Sequence, residues 1–433
     1  MGPGISPGAG THGRDIPPPL GQGSPKAGLS ILRRLLAYGK AVLKWDAPLD
    51  AIRDGRTQGR IPTAAIVRAI LAMGLCRLGS LNALGQTAGS SLWRRWLGAA
   101  LPSPDTIGRV AGMVDVDGLR ALGHHLYERL KRGKAITPPA HGLIAAIVDG
   151  HELHATYKRH CSGCLERRIQ TANGERIQYY HRVVAVSLMT RDLPLMLDAE
   201  PISPGQDEVA VAMRLLDRVV RDYPRAFDLV QGDALYADSR FFNWAIDHGK
   251  HALAVLKDDR RDLLQDAMRL FEDIPPSSSQ DRGVRRVCWD LEGFTTWPQV
   301  KTPVRVVRSL ETRSIRRQLD GQTCRQLSDW YWVTTLPTRQ ASTGAVVKIG
   351  HDRWGIENEG FNELANQYHA DHVYRHEPTA MLVFWLLTQL CLNIFTAFFR
   401  RNLKPAARVA VSMLHVARLL LAELYLPLAR APT

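Results

Sequence analysis

Six cysteines in 433 residues are too few and too scattered to frame a disulfide-stapled fold. Cys76, Cys288, Cys324 and Cys391 each stand alone, which suits a reducing, cytoplasmic setting. No apolar stretch follows the Gly- and Pro-rich N-terminus, so a signal peptide is not expected. An uninterrupted apolar run of membrane-spanning length is also missing. Ala380 to Phe399 comes nearest, but Thr388, Gln389, Asn393 and Thr396 break it at roughly helical spacing, which predicts a core helix and no membrane partner. Acidic residues are the minority charge, 42 against 56 Lys and Arg, and the net +14 favours a polyanionic partner, nucleic acid first. Residues 1–140 hold 19 Lys and Arg against 8 Asp and Glu, so 11 of the 14 net charges lie there. Phosphate contact explains that concentration better than a merely solvated surface does. No helix-turn-helix signature is clear enough to name.

What is present is a globular composition, 45% hydrophobic and 23% charged, in a chain long enough for two or three domains. Residues 1–28, with Pro17-Pro18-Pro19 and many glycines, read as a disordered tail. Residues 29–140 read as helical and as the DNA-binding part. Ile66, Ile70, Leu71 and Leu75 share one helix face, as do Leu119, Leu122, Leu126 and Leu130. Ser103-Pro104 is a helix start, and Trp93-Arg94-Arg95-Trp96 suits either DNA contact or tryptophan core anchors with the arginines outward.

From 141 the period changes. Strands are predicted at Leu143–Val148, Arg182–Leu188 and Leu195–Ala199, then a helix at Asp207–Asp222 with Arg214, Asp217, Arg218 and Arg221 outward. A strand at Phe227–Val230, a helix around Phe241–His248 and a strand at Ala252–Leu256 follow. Pro275 to Ser279 reads as a linker. After it Val284–Trp289, Val304–Ser309 and Trp330–Thr335 read as strands. Residues 378–433 form a C-terminal helical segment with Arg400, Arg401 and Lys404 exposed.

Three carboxylates stand out against this pattern. Asp149 sits where the strand 143–148 leaves the core, Asp233 follows the strand 227–230, and Glu357 opens a helix. Two strand-end aspartates and a helix glutamate suit two hard divalent cations poised for attack on a phosphodiester. In that arrangement Asp149 bridges both ions, and Asp233 and Glu357 take one each. Mg²⁺ is the expected ion, two per site, with Mn²⁺ able to substitute.

The segments Val148-Asp149-Gly150-His151-Glu152-Leu153, Gly232-Asp233-Ala234-Leu235-Tyr236 and Arg353-Trp354-Gly355-Ile356-Glu357-Asn358 resemble the three catalytic blocks of bacterial insertion-sequence DDE transposases. The likeness is to the branch whose ribonuclease-H-like domain carries a β-rich insertion, and it covers roughly residues 100–400. It implies an α/β fold, a ribonuclease-H-like mixed sheet with a β-rich insertion flanked by helical regions. The catalytic core would comprise 141–258 and 348–377, with the insertion at 259–347. In that fold the first and fourth strands are adjacent, so Asp149 and Asp233 would lie side by side across 84 residues, and the 124 residues from Asp233 to Glu357 leave room for the insertion.

The implied activity is metal-dependent cleavage of double-stranded DNA at the ends of a mobile element and joining to target DNA. The implied assembly is a homodimer or larger synaptic complex, nucleoid-associated in the cytoplasm. The alternatives are a transposase-derived DNA-binding protein without catalysis, and a ribonuclease-H-like nuclease without strand transfer.

Related transposases carry a Tyr-x2-Arg-x3-Glu-x6-Lys pattern. Arg353 and Glu357 fit it, and Arg353 is expected to contact DNA, whereas Gly350 and Leu364 stand at the tyrosine and lysine positions. Glu357 is chosen over Glu359 and Glu363 because Arg353 shares its face and because Trp354 and Ile356 would seat the helix on the sheet. Cys161-Ser162-Gly163-Cys164 reads as a tight turn. With His154 and His160 near, half a zinc ligand set is the other reading.

Overall fold

The apolar run at Leu143–Val148 is buried on both faces because it is the middle of a sheet. The computed structural model describes residues 30–172, 174–257, 262–281, 283–316 and 322–425, and the expected tail at 1–28 lies outside them. Strands β1 (Ala145–Thr156), β2 (Leu165–Thr171), β3 (Gly174–Met189), β4 (Leu195–Ile202), β5 (Leu229–Gly232) and β6 (His251–Val255) come first. Then follow β7 (Ser277–Asp281), β8 (Val284–Phe294), β9 (Val304–Arg316) and β10 (Thr323–Thr334). They form one sheet in the order β2-β3-β1-β5-β6-β10-β9-β8-β7, with β4 also paired to β3.

Strands β4, β3 and β1 are antiparallel neighbours, and β5 and β6 run parallel to β1. This is the expected ribonuclease-H-like mixed sheet. The helix α8 (Glu208–Asp222) leads from β4 into β5, and α9 (Ser239–Asp247) links β5 to β6, close to the predicted spans. Asp207 caps α8 by accepting from the Ala210 amide at 3.2 Å.

Two features differ from the expectation. The strand through Asp149 does not end there but runs on to Thr156, and β2 and β3 extend it as an arm. This arm lacks apolar alternation, so no sequence period marked it. Ser277–Asp281 is not a linker but the exposed edge strand β7, held by β8. The β-rich insertion follows α10 (Asp262–Glu272) and joins the same sheet, where β10 pairs antiparallel with β6 through Trp332↔Val255.

The N-terminal region contains α1 (Ile31–Tyr38), α2 (Asp46–Ala51), α3 (Thr63–Leu75), α4 (Leu81–Gly85), α5 (Ser91–Leu97), α6 (Pro104–Ala111) and α7 (Val116–Arg132). The two predicted leucine and isoleucine faces are buried. Ser103 caps α6 with Pro104 in its first turn. Trp93 is a core anchor donating to the Thr87 carbonyl at 2.8 Å, while Arg94 and Arg95 point to solvent. Arg218 of α8 is not outward. With Arg120 of α7 it clamps Asp198 and Glu200 of β4, which ties the helical region to the sheet.

The C-terminal part continues through α11 (Thr343–Asp352), α12 (Asn362–Tyr368), α13 (Pro378–Ala397), α14 (Pro405–Ala410) and α15 (Met413–Tyr425). Among the described residues one helix, Pro378–Asn402, is long and apolar enough to cross a membrane, and 94% of its apolar window is buried inside this fold. It packs between α3 and β4 as a core helix. Arg401 at its end and Lys404 beyond it are exposed as expected, but Arg400 is half-buried and donates to the Asp192 carbonyl.

The polar interruptions have work to do. Asn393 accepts from the Met196 amide at 3.0 Å and donates to the Met196 carbonyl at 2.7 Å. It thereby satisfies β4 where its pairing to β3 slips at a bulge. Thr388 only bonds back to the Phe384 carbonyl of its own helix. Asn393→Leu should therefore lower unfolding stability by about 2–4 kcal/mol, two buried backbone groups being orphaned, and Thr388→Val by under about 1 kcal/mol. Urea unfolding checks this; equal effects would contradict the account.

Candidate active site

Parallel pairing of β1 with β5 ends at Ile147↔Gln231, and both aspartates lie two residues beyond that last pair. The register therefore sets Asp149 and Asp233 at the same level of neighbouring strands. Asp233 turns out of β5 and accepts from the Leu235 amide at 2.8 Å, capping a short 3-10 turn at Ala234–Tyr236.

The third segment is fixed by Gln231. Its fully buried side chain donates to the carbonyls of Ile349 at 2.7 Å and Gly350 at 3.2 Å, holding the end of α11 against β5. One turn on, the chain winds as a π-helix over Ile356–Phe361 and carries Glu357. Such wide turns recur at functional sites.

Arg353 joins the pieces. Its buried guanidinium donates to Asp149 at 3.2 Å and to Glu357 at 2.8 Å, and it lies 4.7 Å over the Trp354 ring. Trp354 is 41% exposed, so it does not seat the helix as expected; fully buried Ile356 does. The structure thus brings together Asp149, Asp233, Glu357 and Arg353, all four of the residues singled out from the sequence. Rival Glu359 faces Arg400 at 4.0 Å, and Glu363 faces Arg77 at 3.9 Å.

The two departures from the family pattern have steric reasons. A Cβ on Gly350 would come within 2.3 Å of the Trp332 indole, so no tyrosine fits, and Leu364 is fully buried core.

A fourth carboxylate escaped sequence reading. Glu208, at the first turn of α8, pairs with Arg182 at 2.9 Å and accepts from the Tyr236 hydroxyl at 3.3 Å. Burial pushes its pKa up, as burial, helped by Glu208, pushes up that of Tyr236. Gly150, next to Asp149, is what admits it, since a Cβ there would lie 2.6 Å from a Glu208 oxygen. The Gly after the aspartate was the available signal.

Burial raises the Asp149 carboxyl to about 7. Arg353 opposes the shift, and Asp233 and Glu357 add to it by repulsion. The site thus gathers more negative charge than one guanidinium neutralises. Its donors are carboxylate oxygens, without thiol or imidazole, and suit a hard divalent cation.

Against this geometry, a family model described as the transposase DDE domain matches residues 141–394, well over half of the chain. The protein belongs to the DDE-domain transposases, enzymes of DNA transposition and recombination that act on DNA and generally depend on divalent metal. Comparison with curated proteins gives no match.

A carboxyl whose folded pKa is raised costs stability as pH climbs. Between the ordinary 3.8 and about 7, the unfolded chain releases the Asp149 proton while the folded chain keeps it. In chelator, Asp149→Asn should gain stability over wild type progressively from pH 4 to 7 and then hold a plateau. Urea midpoints of both proteins across this range test it, and a pH-independent difference would refute the assigned shift.

Proposed function

We propose that the protein cuts DNA strands at the ends of a mobile element and joins them to target DNA, with Asp149, Asp233 and Glu357 as the ligands of two Mg²⁺ ions. The observation that carries this reading is the convergence of three carboxylates, from β1, the end of β5 and the π-helical turn, around Arg353.

When bound, the ions supply an activated water or 3′-hydroxyl and neutralise charge on the leaving oxygen. The chain supplies the rest. Burial and the repulsion of Asp233 and Glu357 hold the Asp149 proton up to about 7, so incoming positive charge would displace it near neutral pH. Arg353 offers a buried, permanently charged donor fork, which can turn from the carboxylates to a phosphate oxygen. Gln231 and Ile356 hold the glutamate segment to the sheet, so Glu357 keeps its place relative to the aspartates.

DNA affinity is assigned chiefly to the N-terminal helices. Arg94 and Arg95 on α5, and Arg132 and Lys134 at the end of α7, are exposed and await phosphate. Two copies of the chain would hold the two element ends together.

Asp149→Asn, Asp233→Asn and Glu357→Gln should each lower Mg²⁺-dependent nicking of an element end at least about 100-fold, as loss of a transition-state interaction does, with DNA affinity nearly unchanged. Glu359→Gln and Glu363→Gln should nick normally. Near-normal nicking by a member of the first group removes that residue from the site. Nicking by wild type without joined product would instead mark a nuclease, and binding without nicking a regulator. Separately, replacing Arg94, Arg95, Arg132 and Lys134 by glutamine in the full chain should weaken binding across all sequences and flatten its salt dependence. An unchanged salt slope would move the DNA-binding face elsewhere.

A further inference from the structure

The arm beyond the active site has a cluster at its base that the transposition chemistry does not use. Strand β1 bulges at Leu153, where pairing with β3 shifts from Glu152↔Arg182 to His154↔His181. It then ends in a loop holding Cys161 and Cys164. His181 lies opposite on β3, and His376 precedes the N-cap of α13. These four residues come from three separated parts of the chain. The histidines that flank the cysteines in sequence are not the ones that meet them. His160 stacks on the His376 ring at 4.5 Å, and His154 stands 6.1 Å from it.

We propose that Cys161, Cys164, His181 and His376 bind one structural zinc ion. Zinc with two thiolates and two imidazoles in a tetrahedron requires edges of about 3.8 Å between sulfurs, about 3.6 Å from sulfur to nitrogen and about 3.3 Å between nitrogens. The two Sγ atoms are 3.8 Å apart. The Nε2 of His181 lies 3.4 Å from each sulfur, that of His376 lies 3.8 Å from the Cys164 sulfur, and the two Nε2 atoms are 3.1 Å apart. The remaining edge falls within the 4.8 Å that spans the whole set.

A disulfide would need the sulfurs near 2.05 Å, so the pair is not one. Four protein ligands leave no open position for water or substrate, which makes the site structural rather than catalytic.

Its consequence is mechanical. The arm is basic and aromatic: Arg159 lies over Tyr179, Arg167 over Tyr180 and Arg176 over Tyr157. Its β2–β3 pair has little core of its own, β2 being mostly exposed. Zinc would tie the base of this arm to the start of the buried helix α13, close to the strand that bears Asp149.

The test uses the full chain, purified under reducing conditions without chelator. Elemental analysis should find about one zinc per chain, lost in Cys164→Ser. Exchange with Co²⁺ should give the visible bands of tetrahedral cobalt together with thiolate-to-metal charge transfer, which the all-carboxylate active site is unable to produce. His376→Cys keeps a ligand in place, so it should retain the metal while its cobalt spectrum moves to that of three thiolates. Wild-type protein with reduced thiols that takes up neither zinc nor cobalt would overturn the proposal. So would a cobalt spectrum indifferent to both Cys164→Ser and His376→Cys, or a Cys161–Cys164 disulfide in metal-free protein purified without air.

Discussion

Three carboxylates of like charge share one partly buried place, with a single guanidinium between two of them. Left to themselves, Asp149, Asp233 and Glu357 would separate or take up protons, and Asp149 already leans that way. They stay together because the backbone leaves them no alternative. The parallel register of β1 on β5 levels the two aspartates, and Gln231 anchors the helix that brings the glutamate. Arg353, buried and hydrogen-bonded to both Asp149 and Glu357, offsets part of the repulsion. Such a site suits positive charge, in keeping with a transposase family that generally depends on divalent metal.

The rest of the fold serves as a brace for that arrangement. The inserted strands lengthen the catalytic sheet, and Trp332 of β10 fills the space beside Gly350 that a larger residue would need. On the other side α13 is driven through the interior, where Asn393 completes the hydrogen bonding of β4 and α3 packs along it. His151, beside Asp149, stacks on Phe361 of the π-helical turn and on Trp385 of α13, linking strand, glutamate segment and core helix.

Much of this could be read from residues alone. Continuous Val, Ile and Leu runs marked the buried strands, Asp207 and Ser103 marked helix starts, and the three acidic blocks marked the site. What escaped lacked a local period. The β2–β3 arm is largely exposed and polar, with Glu166, Arg167, Arg168, Glu175 and Arg176, so no apolar period marked it, and Ser277–Asp281 is a strand by pairing rather than by composition. Glu208 and Gln231 take their roles from neighbours far along the chain, as do His181 and His376. The π-helical winding at Glu357 is likewise a tertiary outcome.

As proposed, Asp149, Asp233 and Glu357 together form a hard-cation site with Arg353 as its built-in counter-charge. Anomalous diffraction from crystals soaked in Mn²⁺, which scatters where Mg²⁺ would bind, tests it most directly. Manganese peaks are expected among these three carboxylates, with the Arg353 guanidinium drawn off Asp149. Manganese bound instead at Glu359 or Glu363, or no peak while Arg353 keeps both partners, would contradict it.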